Sequence, residues 1–214
     1  MNFFHRNQTG SGHSGSGHDG NGEPVAHRFT LDLSRADKLA TMVANSRASR
    51  VIEVSDLLAG MYIHNWERLS RYWEEEDQER VEELLRTVCQ ISPARWNFWI
   101  QKYDKRRRDS NKRVISLPLL RKLEKEPIFE APLQPSTELN AVFKQAEQIA
   151  PFHDNRDGKK IPILTSECVL LCIVRNRKSE ISRRLAGSGL NVPRLERDAL
   201  SSRRTQRGSQ QDSA

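Results

Sequence analysis

Cysteine is scarce in this sequence: Cys89, Cys168 and Cys172 are the only three among 214 residues. An odd count with no paired spacing argues against a disulfide framework and for a reducing compartment. Long apolar runs are missing as well. Val169–Val174 is far shorter than the ~20 residues a membrane span requires. Met1–Arg6 is too short an apolar start for a secretory leader. Together these absences predict a soluble, cytoplasmic protein. A phosphate loop is also lacking, because Gly158-Lys159 has neither the earlier glycine nor a following Ser or Thr. The chain is therefore not expected to be an ATPase.

Apolar residues make up 36% of the sequence. That is below the globular norm and predicts a modest core, one domain or two small ones, and disordered ends. The net charge of +7 is spread unevenly. Residues 51–100 hold 5 Lys and Arg against 10 Asp and Glu, whereas residues 151–214 hold 13 against 7. A basic second half attracts nucleic acid or acidic protein without choosing between them.

What is present is helical periodicity. Residues 1–28 read as a disordered Gly/Ser/His-rich tail. His5, His13 and His18 in that tail have no fixed geometry with which to hold a metal. Apolar stripes then predict helices over Asp37–Ala48, from Ser55 as N-cap, and after the acidic run at Glu74–Glu76. The last of these carries Val81, Leu84, Leu85 and Val88. Ser92-Pro93 reads as an N-cap with proline at the first helical position. The stripe beyond it is Trp96, Trp99, Ile100 and Tyr103, closed by the cations of Lys105–Arg108. Leu117–Lys125 can form a short helix, and Pro127, Pro132 and Pro135 break the chain beyond it. Ser136 or Thr137 then caps a helix carrying Leu139, Val142, Phe143, Ala146, Ile149 and Ala150. Residues 152–162 read as a polar loop. Ser179 caps a further helix that Gly187 and Gly189 stop, and Pro193 opens the last one. No segment shows sustained two-residue alternation, so the expected class is all-α.

Val169–Val174 alone cannot be told apart as strand or helix. An internal repeat decides it. Set from Ile52 and from Leu164, the two segments match Leu57 with Val169, Leu58 with Leu170, Gly60 with Cys172 and Met61 with Ile173. The first block continues as a helix, so the second should be the middle of a buried helix. Upstream, Ala44 and Ala48 precede one block as Ala146 and Ala150 precede the other.

The second copy, with its small pair, the block Leu164–Val174 and the later Leu185, Gly189, Leu190 and Val192, resembles the Clp amino-terminal repeat. Glu167 stands where that family has Glu, but Cys168 replaces the usual His. In the first copy Ser55 and Asp56 replace Glu-His, and no glycine ending is visible. The resemblance implies two pseudo-repeated four-helix units. The first would span residues 29–90 and the second 136–200, with a basic and aromatic insertion at 91–135 and a disordered basic tail at 201–214. It assigns structural roles to Leu57, Leu58, Met61, Ala146, Ala150, Glu167, Leu170, Leu171, Leu185 and Gly189. It also implies a non-enzymatic module that binds protein, as an adaptor or accessory to an AAA+ unfoldase or its protease.

A second reading takes Trp96, Trp99 and Tyr103 with Arg106, Arg107 and Arg108 as a contact surface for a partner or for nucleic acid. Aromatics interleaved with cations stack bases and hold phosphates. The alternative is a packed aromatic face with a solvated basic end. The basic set Lys112, Arg113, Arg121, Lys122, Arg183, Arg184, Arg203 and Arg204 is either one electropositive face or ordinary solvated surface. Cys168 and Cys172 read as small buried hydrophobes, and Glu167 as a residue serving a helix N-terminus. His64 and His153 have no nucleophile near them in sequence. No catalytic residue, cofactor or metal is expected.

Overall fold

The amphipathic stripes fold as helices, and short polar side chains set their ends. The computed structural model describes residues 15–18, 24–103, 133–154 and 160–211. Among them, α1 spans Leu31–Ser46, α2 Val54–Leu69, α3 Glu75–Val88, α4 Pro93–Tyr103, α5 Thr137–Ile149, α6 Ser166–Arg175, α7 Glu180–Ala186 and α8 Val192–Gln211. A single 3-10 turn, Ser70–Tyr72, follows α2. The described chain is thus mostly helical, as the periodicity predicts.

The caps explain both the agreements and the shifts. Thr30 Oγ1 accepts from the Leu33 N–H at 3.4 Å, so α1 starts at Leu31 and not at Asp37. Its first turn hides behind Asp32, Ser34 and Arg35, which dilute the stripe while Leu33 and Ala36 are buried. At α2, Glu53 and not Ser55 is the N-cap, because its N–H donates to Asp56 Oδ2 at 2.8 Å. Ser92, Ser136 and Thr165 accept from the third residue beyond them in α4, α5 and α6, and Asn191 does the same for α8. Each such cap is typically worth about 1 kcal/mol.

Two apolar blocks occupy the centre. Helix α2 packs on α1, α3, α4 and α6, and α6 packs on α5, α7, α8 and α2. Every residue of Ser166–Val174 is buried, so Val169–Val174 is the middle of an enclosed helix. Leu57, Leu58, Met61, Ala146, Ala150, Leu170, Leu171 and Leu185 all lie in the same continuous core. The pairing of Ala44 with Ala48 does not hold. Ala48 follows the helix at φ 55 and is exposed. The small residues that matter in α1 are Ala36 and Ala40, both wholly buried. They face Gly60, where an added Cβ would lie 2.1 Å from the Ala36 carbonyl oxygen.

Strands are few and short. Gly15–His18 (β1) pairs antiparallel with Pro24–His27 (β2), inside the segment expected to be an unstructured tail. Val51–Ile52 (β3) pairs in parallel with Gln134–Pro135 (β4). Phe152–Asp154 (β5) pairs antiparallel with Lys160–Pro162 (β6), where the sequence reads as a polar loop. Phe29 and Leu164 form one isolated parallel bridge. Pairs this short rest on backbone hydrogen bonds and leave no alternating pattern to read. Helix α8 continues past Ser201 to Gln211. Buried Leu195 and Ala199 anchor its first turns, and Ser201–Arg207 contains neither Gly nor Pro to stop it.

Candidate functional site

The aromatic stripe of α4 faces inward. Trp96 is 0% and Trp99 3% exposed, and Tyr103 is half-buried with its hydroxyl on Met42 Sδ at 3.6 Å. The Trp96 ring lies 5.5 Å from Tyr62, Tyr62 lies 4.1 Å from Trp66, and Trp66 stacks on Trp73 at 5.6 Å. Rings enclosed this way cannot stack a base, so Trp96 and Trp99 are corrected from contact residues to core. The cause is the ordinary one for an i, i+3, i+4, i+7 stripe: it is the face that packs. Arg106, Arg107 and Arg108 lie outside the described residues, as do Lys112, Arg113, Arg121 and Lys122. The side chains of His5, His13, His18, His153, Arg203 and Arg204 are outside them too.

Two buried carboxylates form the polar centres. Asp56 is wholly buried at the start of α2 and receives both arms of Arg47, Nη2 at 2.7 Å and Nε at 3.2 Å. Burial pushes the Asp56 carboxyl up, and the Arg47 hydrogen bonds pull it part of the way back. The hydrogen bond to Asp56 raises Arg47 in turn. The Arg47 side chain remains 25% exposed, whereas that of Asp56 is fully enclosed.

Glu167 is the second, with 3% of its surface exposed. Sequence reasoning sees only its place in the first turn of α6. In the fold it also accepts from Arg68 Nε at 2.5 Å and lies 3.6 Å from Arg71 Nη2. Arg71 reaches on to the Tyr72 hydroxyl at 2.7 Å and Asp198 at 3.1 Å. Tyr72 donates to Asp198 at 3.0 Å, and Arg194 Nη1 donates to the Arg71 carbonyl at 2.9 Å. On the other side Arg68 lies 3.6 Å from Asp32, and His64 lies 3.9 Å from the same carboxylate. Helix α2 bends at Asn65 (φ −128, ψ 26), whose amide donates to Ser166 Oγ at 3.4 Å. The network thus ties α1 and α2 to α6 and α8. Its one sequence signal is the pair Arg68 and Arg71, three apart, the first in the last turn of α2 and the second in the 3-10 turn that follows.

This arrangement fastens helices to one another. Burial pushes Tyr72 up to about 12, so it stays protonated at neutral pH. Burial likewise pushes Cys89 to about 12 and Cys172 to about 11, and raises Cys168. A buried thiol with a raised pKa is a poor nucleophile. Iodoacetamide at neutral pH should therefore label none of the three cysteines in the folded protein and all three in urea. These thiols also predict alkaline instability. Unfolded, they ionise near 9.0; folded, Cys172 holds its proton to about 11 and Cys89 to about 12, and Cys168 is raised as well. The stability they contribute is present below pH 9 and is lost as pH rises through that window. Urea midpoints measured from pH 8 upward should fall, and replacing Cys89 with Ala should flatten the fall.

No group of three or more His, Cys, Asp or Glu among the described residues is arranged to hold a metal ion. No helix among them is long and apolar enough to cross a membrane. No family model matches the chain, and no curated protein matches it.

Proposed function

We propose that the chain is a cytoplasmic protein-binding module of the Clp amino-terminal type, acting without catalysis as an adaptor or accessory to an AAA+ unfoldase or its protease. One observation carries the reading, a matched pair of crossed backbone contacts. The N–H of Thr30, the cap of α1, donates to the carbonyl of Leu164 just before the α6 cap at 2.9 Å. The N–H of Ser136, the cap of α5, donates to the carbonyl of Ile52 just before the α2 cap, also at 2.9 Å. Thr30 thus corresponds to Ser136, and Ile52 to Leu164, the same register in which the two apolar blocks align. On this plan α1–α4 and α5–α8 are two pseudo-repeated units related by an approximate two-fold.

A tagged protein used to retain partners from native lysate, with and without nuclease, tests the reading. Enrichment of an unfoldase, its protease or a defined client, unchanged by nuclease, is the expected result. Recovery of ribosomal and nucleoid proteins alone, lost on nuclease treatment, would overturn it. Nucleic-acid binding, the second reading, now rests on charge alone. It predicts a steep loss of affinity with salt and no quenching of the buried tryptophans on adding single-stranded DNA.

A further inference from the structure

A groove of about 430 Å³ runs between the end of α6, helix α7 and the start of α8. Val174, Ala186 and Val192 form its floor, and Arg175, Arg177 and Arg183 stand along its rim. Arg175 is ion-paired with Glu196. Arg177 and Arg183 are exposed and have no carboxylate partner among the described residues. Inside the groove Ser182 already spends its hydroxyl on the Ile173 carbonyl at 2.5 Å. What remains on offer is an aliphatic floor between two unpaired guanidinium groups.

We infer that this groove docks an acidic protein segment that carries an aliphatic residue among its carboxylates, an assignment that rests on the binding-module reading above. The guanidinium groups suit carboxylates, which they bind in two-pronged geometry. The floor suits a Val- or Leu-sized side chain and presents no aromatic face for a base.

Residues 104–132 as a whole are a poor charge match for the groove. In residues 104–132 Lys105–Arg108, Lys112, Arg113, Arg121, Lys122 and Lys125 outnumber the carboxylates. A second copy fits poorly as well. The start of α3 turns carboxylates outward but exposes no large aliphatic side chain. The one large hydrophobic side chain exposed among the described residues, Leu31, sits beside an Asp32 already paired with Arg68.

The test uses the full chain and a short fluorescein-labelled peptide of glutamates around a central leucine, read by anisotropy. Saturable binding is expected. Arg177→Ser and Arg183→Ser, both at exposed positions, should each weaken it by about tenfold, the loss of one charge-assisted contact. Ala186→Trp should abolish it by filling the groove, with melting temperatures confirming that all three variants fold. The inference is overturned if the wild type does not bind, if a serine-centred peptide binds equally, or if oligodeoxythymidylate of the same charge binds as tightly. A concentration-dependent dimer in sedimentation, lost in Arg177→Ser, also overturns it. Retaining partners from lysate with the Arg177→Ser/Arg183→Ser variant separates the two levels. Undiminished recovery leaves the binding module standing and removes the groove. No protein recovered even by the wild type removes the module, whatever the peptide does.

Discussion

Gly60→Ala should destabilise the protein by on the order of 3 kcal/mol, although alanine is the better helix former. Helix propensity alone favours the substitution by about 1 kcal/mol. Against that stands the new methyl group, placed 2.1 Å from the Ala36 carbonyl oxygen and 2.9 Å from the Ala40 nitrogen. Both atoms are backbone, so no side chain can swing aside, and α1 must move off α2 along the most extensive contact among the described helices. Overpacking typically costs about 1–3 kcal/mol, and more where the surroundings cannot relax. Urea denaturation decides by sign: a stabilised Gly60→Ala protein would mean the two helices do not meet at this distance.

Asp56→Ala is the second large effect, expected to cost about 3–5 kcal/mol, the usual penalty for breaking a buried ion pair from one side. The substitution strands Arg47 and removes the acceptor of the Glu53 N–H. Asp56→Asn keeps an oxygen for that N–H and should lose less, about 1–3 kcal/mol. The pH dependence carries a further signature. Burial raises the Asp56 carboxyl above its ordinary 3.8, so the folded state holds the proton more readily than the unfolded one. The stability this residue contributes is therefore fully present below pH 3.8 and is lost as pH rises through the raised folded value. Asp56→Asn should lack that slope. Arg47→Ala should extend it to higher pH, because the carboxylate loses its counter-ion. Urea midpoints compared across the acid range would reveal a wild type and an Asp56→Asn variant with parallel profiles if burial did not shift this group.

The central helices are legible in the sequence because their apolar residues recur with helical spacing. Leu57, Leu58 and Met61 can be set against Val169, Leu170 and Ile173 from the residues alone. Proline at Pro93 and glycine at Gly187 and Gly189 mark boundaries for reasons of backbone geometry. What escapes depends on partners distant in sequence. Nothing local distinguishes Glu167 as an ion-paired residue from Glu167 as a helix-start residue, since Arg68 arrives from another helix. Spacing cannot tell which small pair faces a glycine, so it points to Ala44 and Ala48 and passes over Ala36 and Ala40. The inward turn of Trp96 and Trp99 is one of two readings open to the same stripe. The groove beside α7 leaves no signal at all, because Val174, Arg183 and Val192 converge only once three helices have packed.

The crossed contacts also bear on how the chain is made. A ribosome releases α1 and α2 long before Leu164 and Ser136 exist. Through that interval the Thr30 N–H and the Ile52 carbonyl have only water to bond. The first four helices can collapse on their own aromatic ladder, but the entrances to α1 and α2 stay unfinished until the second half emerges. Whatever chaperone attends synthesis therefore meets a half-built sheet edge at Phe29 and at Val51–Ile52. Premature termination anywhere in residues 104–132 would leave that edge permanently open.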